Sequence, residues 1–309
     1  MDILNQDFGK RFAMYNGDCV EVMKGLDDES VDFSIFSPPF ASLYTYSNSE
    51  RDMGNVKDSE EFFKQFDFLV AELFRVLKSG RLVSFHCMNL PTSITKDGYI
   101  GIEDFRGELI RCFQKHGFIY HSEVCIWKNP VVAMQRTKAL GLLHKQVVKD
   151  SSMSRQGIPD YLVTMRKPGE NKNPISGELD HFVGEDFHST GKLSIDIWQR
   201  YASPVWMDIN PSDTLQYRSV REDNDEKHIC PLQLQVIHRA CQLWSNPNDV
   251  VLSPFAGIGS EGYESLKMGR KFIGIELKES YYKQAVENCK KAETFESSML
   301  EEQNERDII

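Results

Sequence analysis

One stretch late in the chain constrains the fold more than any other. Asp249-Val250-Val251-Leu252-Ser253-Pro254-Phe255-Ala256-Gly257-Ile258-Gly259-Ser260 is an apolar run leading into a glycine-containing turn. A helical pattern follows from about Glu261 to Met268, and Arg270-Lys271-Phe272-Ile273-Gly274-Ile275-Glu276 is a second apolar run closed by an acid. Strand, Gly-x-Gly turn, helix, strand and acid make a βαβ unit, which demands a parallel pair in an α/β sheet. Glycines at such a turn let a ligand approach the backbone, and the acid is placed to hold ribose hydroxyls. Glu276 stands about 17 residues after Gly259, the spacing expected of that acid. A third glycine is missing, which argues against a dinucleotide and suits a ligand without a pyrophosphate.

A second signal lies more than 200 residues earlier. Val31-Asp32-Phe33-Ser34-Ile35 reads as a short buried strand, and Phe36-Ser37-Pro38-Pro39-Phe40 follows it. Two prolines end the strand, because neither has an N–H to offer a neighbour. A hydroxyl, two proline carbonyls and an aromatic ring then stand at the strand's C-terminal edge, where open α/β sheets bind ligands. A flat base with an amino group needs such parts: acceptors for its N–H bonds and a ring to stack on. An ordinary strand-ending turn is the competing reading of Ser-Pro-Pro alone.

Taken in order, the two segments resemble the S-adenosylmethionine-dependent DNA amino-methyltransferases, and among them the circularly permuted β group. That family carries (Ser/Asp/Asn)-Pro-Pro-(Tyr/Phe) first, a target-recognition region next, and Asp-Pro-Phe-x-Gly-x-Gly-(Thr/Ser) last. Here Ser37-Pro38-Pro39-Phe40 comes first and Ser253-Pro254-Phe255-Ala256-Gly257-Ile258-Gly259-Ser260 last. Ser253 departs from the family's usual Asp, which removes a carboxylate but leaves the Phe-x-Gly-x-Gly core. The resemblance covers roughly residues 11–127 and 200–290. It implies an α/β, Rossmann-like, mostly parallel methyltransferase sheet, circularly permuted, with an inserted target-recognition region. The expected divisions are 1–127 for the catalytic half, 128–225 for the insert, 226–291 for the cofactor half and 292–309 for an acidic tail.

The resemblance also assigns roles. Ser37 Oγ and the Pro38 carbonyl would accept hydrogen bonds from the amino group of a flipped base, with Pro39 shaping the turn and Phe40 stacking on the base. Phe255, Gly257 and Gly259 would line the path of S-adenosyl-L-methionine, and Glu276 would accept its ribose hydroxyls. Asp18, in Asn16-Gly17-Asp18, would lie near the adenine, although a turn or helix-cap role is open to it as well. The segment His228-Ile229-Cys230-Pro231-Leu232 matches the position of the family's motif over the methionine end. A metal role for His228 has no second ligand at suitable spacing. Methylation at cytosine carbon 5 would need a cysteine placed after a proline; the neighbours here run the other way, Cys230-Pro231. Ser at the first catalytic position leans toward cytosine N4 over adenine N6.

Charge at first argues against a nucleic-acid partner, since the chain carries −10 overall. Its distribution reverses that reading. Residues 128–172 hold nine Lys and Arg against three Asp and Glu, a local +6. A basic segment on an acidic body can engage phosphates locally. The candidates for DNA contact are Lys138, Lys145, Lys149 and Arg155, with Lys128, Arg136, Arg166 and Lys167 beside them; phosphate contact is the expected role for most. Trp127, Trp198 and Trp206 are expected in the core. The partners compatible with this reading are double-stranded DNA, a second copy of the chain and a cognate restriction nuclease.

The 309 residues suffice for a full α/β core with one insert. No apolar run is long enough to span a bilayer and no signal peptide is visible, so a cytoplasmic location is the expectation. The seven cysteines show no Cys-x-x-Cys spacing and read as reduced core residues. Periodicity predicts a strand over 12–15, a helix over 59–78 ended by Ser79-Gly80, a strand over 81–87, a helix over 103–116, and a strand or hairpin over 118–127. It predicts further helices over 231–244, with Pro231 in the first turn, and over 279–291. Residues 128–225 show no regular period. The tail beyond 292 reads as a frayed helix or as disorder. Methylation of RNA or of a protein glutamine, and a non-catalytic nucleic-acid-binding relic, are the competing functions.

Overall fold

The computed structural model of the chain describes residues 3–39, 59–132, 147–176, 179–180, 193–216 and 231–306. Among these the main sheet has nine strands: β1 (Asn5–Phe8), β2 (Phe12–Asn16), β3 (Val31–Phe36), β4 (Leu77–Cys87), β5 (Ile119–Ile126), β6 (Asp160–Arg166), β7 (Val205–Trp206), β8 (Val250–Ser253) and β9 (Lys271–Glu276). Their spatial order is β1-β2-β9-β8-β3-β4-β6-β5-β7. The five strands from β2 to β4 in that order run parallel. β1 and β6 run antiparallel to their neighbours, and β7 runs parallel to β5. Among the described residues the helices of five or more residues are α1 (Cys19–Met23), α2 (Ser59–Val76), α3 (Phe105–Lys115), α4 (Ile195–Tyr201), α5 (Leu234–Trp244), α6 (Ser260–Lys267) and α7 (Glu279–Arg306).

All six residues of β3 are buried, the pattern of a central parallel strand covered on both faces. On one face Phe36 packs in a cluster with Phe62, Phe66, Leu69 and Leu73 of α2 and Leu109 and Phe113 of α3. On the other, Phe33 and Ile35 pack with Val236 and Ile237 of α5, Leu266 of α6 and Ala285 and Cys289 of α7. The buried positions of α2 recur at helical spacing, so one stripe of that helix faces the sheet. The result is the three-layer α/β architecture that the resemblance implies.

Permutation is visible in the strand order. β8 and β9 come last in the chain yet lie between β2 and β3. The unit β8–α6–β9 leads one way along the sheet and β3–α2–β4 leads the other. The crevice outside the carboxyl ends of β3 and β8 is therefore the topological switch point, the usual place for a ligand in an open α/β sheet.

Several expectations need correction. Residues 160–166 fall inside the expected insert but form β6, hydrogen-bonded between β4 and β5 in the main sheet. The span 128–225 is thus not separate throughout. α2 stops at Val76 and β4 begins at once, so Ser79-Gly80 lies within the strand. Gly80 sits at φ +73, its N–H pointing to the carbonyls of Lys167 and Pro168, and the β3–β4 register shifts between Val31 and Phe33. A Cβ there would stand 2.6 Å from the Asn171 backbone N, which is why glycine occupies the bulge. Pro231 precedes α5, which starts at Leu234 after the N-cap Gln233. The acidic tail continues α7 to Arg306. Of Trp127, Trp198 and Trp206 only Trp206 is buried; the other two are about half exposed.

A buried polar seam ties β8 to its neighbours. Arg81 of β4, 1% exposed, bonds the carboxylate of Asp249, and its Nε donates to the Asp32 carbonyl at 2.7 Å. Asp32 in turn accepts from Val250 N at 2.9 Å and from Lys78 Nζ at 2.7 Å. Removing one member of a buried ion pair strands the other charge, at a cost of about 3–5 kcal/mol. Arg81→Leu should therefore lower the urea midpoint by that much stability, measured by equilibrium unfolding. A loss under about 1 kcal/mol would mean that Asp249 finds water or another partner.

Candidate active site

The glycine turn is built from the end of β8. Gly257 sits at φ +53 and Gly259 at φ +83, left-handed conformations that suit glycine. Gly259 caps α6 and packs so close to α7 that a Cβ would lie 3.0 Å from Ala285 Cα. At Gly257 an added Cβ would meet nothing within 4 Å, so the turn presents bare backbone to open space. The buried hydroxyls of Ser253 and Ser260 have no hydrogen-bond partner among the described residues. Buried polar groups are rarely left unpaired, and a ligand lying along the turn would pair them. These residues fit a nucleoside-bearing group such as S-adenosyl-L-methionine.

Glu276 ends β9 opposite this turn. Its Oε2 accepts from Gly257 N at 2.8 Å and its Oε1 from Lys278 N at 2.9 Å. The acid therefore braces the turn. A carboxylate has about four acceptor sites, so this role is compatible with holding a diol. Asn16 of β2 lies opposite Glu276 in register, which brings Asp18 to the same edge. Asp18 caps α1, with Oδ1 accepting from Glu21 N at 3.1 Å, so the capping alternative is realised in the structure. Glu261, in the first turn of α6, is 4% exposed, and burial pushes its carboxyl up to about 8, with the nearby Glu276 adding to the shift. It is thus largely neutral at pH 7 and adds little charge beside Glu276.

The Ser-Pro-Pro edge adjoins this turn. Pro38 and Pro39 are buried and Ser37 is partly exposed. Phe36, just before Ser37, packs against Phe255 of the glycine turn with ring centroids 5.8 Å apart. Ser34 Oγ donates to the Leu252 carbonyl at 2.9 Å across the β3–β8 pairing. Two motifs separated by some 200 residues thus share one sheet edge. Phe40 and His228 lie outside the described residues, and Pro231 is partly buried ahead of α5.

Three further residues join this edge: His86 and Asp160, which no motif indicated, and Lys128, which the charge count had pointed to phosphates. Ser37 Oγ lies 3.0 Å from Nδ1 of His86, near the end of β4. His86 Nε2 lies 3.1 Å from Oδ2 of Asp160, the first residue of β6. Lys128, just past β5, reaches Oδ1 of Asp160 at 2.5 Å. His86 and Asp160 are 8% and 3% exposed, so the row is shielded from water. Burial alone would raise the Asp160 carboxyl; Lys128 and His86 outweigh it and bring it down to about 2. The signal that could have found these residues is the antiparallel register of β4 on β6, which sets His86 opposite Leu162.

The basic candidates fall into two groups. Lys128 is held by Asp160, and Lys167 is buried, donating to the Leu77 carbonyl at 2.7 Å and lying 3.3 Å from Glu29. Both are engaged within the fold. Lys149 is exposed, and Arg155 is partly buried with its Nε unpartnered among the described residues. Arg136, Lys138 and Lys145 lie outside the described residues. Among the described residues no cluster of His, Cys, Asp or Glu is placed to hold a metal, and no helix is long and apolar enough to cross a membrane.

Comparison with known proteins gives the family. The family model for N6 and N4 methyltransferases, described as DNA methylase, matches residues 31–287, and the chain belongs to that family. Type II methyltransferase M.BglII of Bacillus subtilis is 25% identical over 273 residues, covering 87% of this chain and 66% of that protein. The DNA adenine methyltransferase YhdJ of Escherichia coli strain K12 is 24% identical over 93% of this chain and 86% of its own length. Among solved structures, a DNA modification methylase candidate from Thermus thermophilus, complexed with S-adenosyl-L-methionine, superposes with a TM-score of 0.64 at 21% identity, covering 91% of this chain and 95% of that one. PvuII DNA methyltransferase, described as cytosine-N4-specific, gives a TM-score of 0.63 at 16% identity, covering 93% and 90%. These superpositions carry the fold.

Two outcomes follow from the cofactor side of the site. Hydrogen bonds to a charged group contribute about 1.5–3 kcal/mol. Glu276→Ala should raise the Kd for S-adenosyl-L-methionine roughly ten- to a hundred-fold by calorimetry; an unchanged Kd in a folded protein would leave the acid only its bracing role. For Glu261 the carboxyl is raised from an ordinary value near 4.5 to about 8 in the fold. Between those values the folded state holds a proton that the unfolded chain releases, so stability falls as pH rises through the window. Wild-type Tm should drop from about pH 5 to about pH 8.5 by more than that of Glu261→Gln. Parallel Tm curves for the two proteins would refute the assignment.

Proposed function

We propose that this chain transfers a methyl group from S-adenosyl-L-methionine to an exocyclic amino group of a base flipped out of double-stranded DNA, with cytosine N4 as its target. The observation that carries the reading is the meeting of the Ser37-Pro38-Pro39 edge with the glycine turn, through Phe36 on Phe255. Gly257, Gly259, Phe255 and Glu276 would hold the cofactor, with Asp18 toward the adenine and the His228–Pro231 segment toward the methionine end. When bound, that group supplies an already activated methyl, so positioning does most of the work. An exocyclic amino nitrogen is a poor nucleophile because its lone pair is spread into the ring. Ser37 Oγ and the Pro38 carbonyl would accept its N–H bonds and aim the lone pair, and Phe40 would stack on the ring. DNA would track along the basic surplus of residues 128–172, with Lys138, Lys145, Lys149 and Arg155 on phosphates. Target recognition would fall to residues 128–225 outside β6 and β7. A second copy of the chain and a cognate nuclease are further proposed partners.

Cytosine N4 rests on Ser37, where adenine enzymes more often have Asp, and on the cytosine-N4 specificity of the PvuII enzyme. Adenine N6 is the second reading, favoured by the likeness to YhdJ, a DNA adenine methyltransferase. Incubating the purified protein with unmethylated DNA and methyl-labelled cofactor, then digesting to nucleosides, decides between them. Label in N4-methylcytosine is the expected result. Label in N6-methyladenine would exchange the base and keep the site. Label in 5-methylcytosine, or in RNA alone, would overturn the reading.

A further inference from the structure

The row Ser37–His86–Asp160 has a polarity that can be worked out atom by atom. An ionised carboxylate only accepts hydrogen bonds. Asp160 Oδ2 stands 3.1 Å from His86 Nε2 without the alignment of a hydrogen bond, and its negative charge favours the tautomer with the hydrogen on Nε2 over one with a lone pair there. Nδ1 is then an acceptor, and the Ser37 hydroxyl, 3.0 Å away, donates to it. That leaves the lone pairs of Ser37 Oγ for the crevice. We propose that His86 is a positioning residue for Ser37: it fixes the hydroxyl as an acceptor toward the base and takes the hydroxyl proton as Ser37 takes one from the methylated amino group. This rests on the function proposed above.

The step balances. The nitrogen lone pair forms the new N–C bond while the C–S bond breaks, its pair remaining on sulfur, and the positive charge passes from sulfur to nitrogen. One N–H proton moves to Ser37 Oγ, and the Ser37 proton moves to His86 Nδ1. The hydroxyl is restored and the charge rests on the imidazolium, facing Asp160. The proton leaves to solvent by the same path after the product departs. No oxidant or further reactant is needed.

The polar groups facing His86 come from three elements. Asp160 opens β6, Lys128 follows β5 and pairs with Asp160, and Ser37 comes directly after β3. Cys87, the next residue of β4, points to the opposite face, where it packs with Phe85 and Phe113. Asp160 is an anion and Lys128 a cation, so their charges act with opposite sign on a proton arriving at His86.

The test is single-turnover methyl transfer to unmethylated DNA against pH, with cofactor Kd by calorimetry as a check on folding. Wild type should gain rate with pH along a single-proton limb. His86→Gln and Ser37→Ala should each slow transfer ~10²–10³-fold, and the double variant should be no slower than either. Asp160→Asn should move the limb to lower pH and Lys128→Met to higher pH, opposite shifts that a purely structural role would not produce. A readout independent of turnover is the nitrogen NMR spectrum of His86 in the free protein, which should show Nε2 protonated and Nδ1 bare. Losses that add in the double variant, a His86→Gln rate within a few-fold of wild type, or a proton on Nδ1 would overturn the relay and leave the methyltransferase reading standing. A wild type that methylates no nucleobase amino group would remove both, whatever the spectrum shows.

Discussion

The pairing of β8 with β3 is the contact on which the site depends. It joins strands that begin at residues 31 and 250, and nothing local in the chain holds them together. Apolar burial alone would tolerate some slip along parallel strands. The seam is pinned instead by polar contacts that cross it: Ser34 Oγ on the Leu252 carbonyl, Val250 N on Asp32, and Arg81 across to Asp249. A one-residue shift would turn the side chains to the wrong faces and leave these groups buried and unpaired. Register at the seam thus sets the distance between Ser37 and Gly257, and with it whether the two motifs can serve one ligand.

Most of this frame can be read from the chain because it is written locally. The Phe and Leu stripe of α2, the glycines of the β8–α6 turn and the double proline after β3 each impose a conformation on their own neighbours. Glu276 was readable by its spacing, although its bond to Gly257 N was not. β6 escaped notice for a different reason. Its seven residues lie in a stretch rich in Gly, Pro, Ser and Asn, and what makes them a strand is the pair of edges offered by β4 and β5. The same holds for Gly80, whose need for φ +73 comes from Lys167 and Pro168 far along the chain. His86 and Asp160 stand 74 residues apart (160 minus 86), and only the β4–β6 register reveals them as a pair.

The placement of β6 has an electrostatic consequence for the DNA face. By residue count the segment 128–172 carries +6, as though all its cations faced outward. Lys128 spends its charge holding Asp160 at 2.5 Å, which keeps that carboxylate ionised despite full burial. Lys167 runs inward to the Leu77 carbonyl and to Glu29, which lies outside the segment. Under the proposed function, the attraction for phosphates would come from the other cations of the segment, Lys149 and Arg155 among the described residues before β6. Each phosphate contact carries a counterion-release slope of about 0.9 on duplex DNA. On that proposal the salt dependence of binding should report those cations, while Lys128 and Lys167 are engaged within the fold. Basic residues that look equivalent in the chain thus divide by which side of the sheet's last strands they reach.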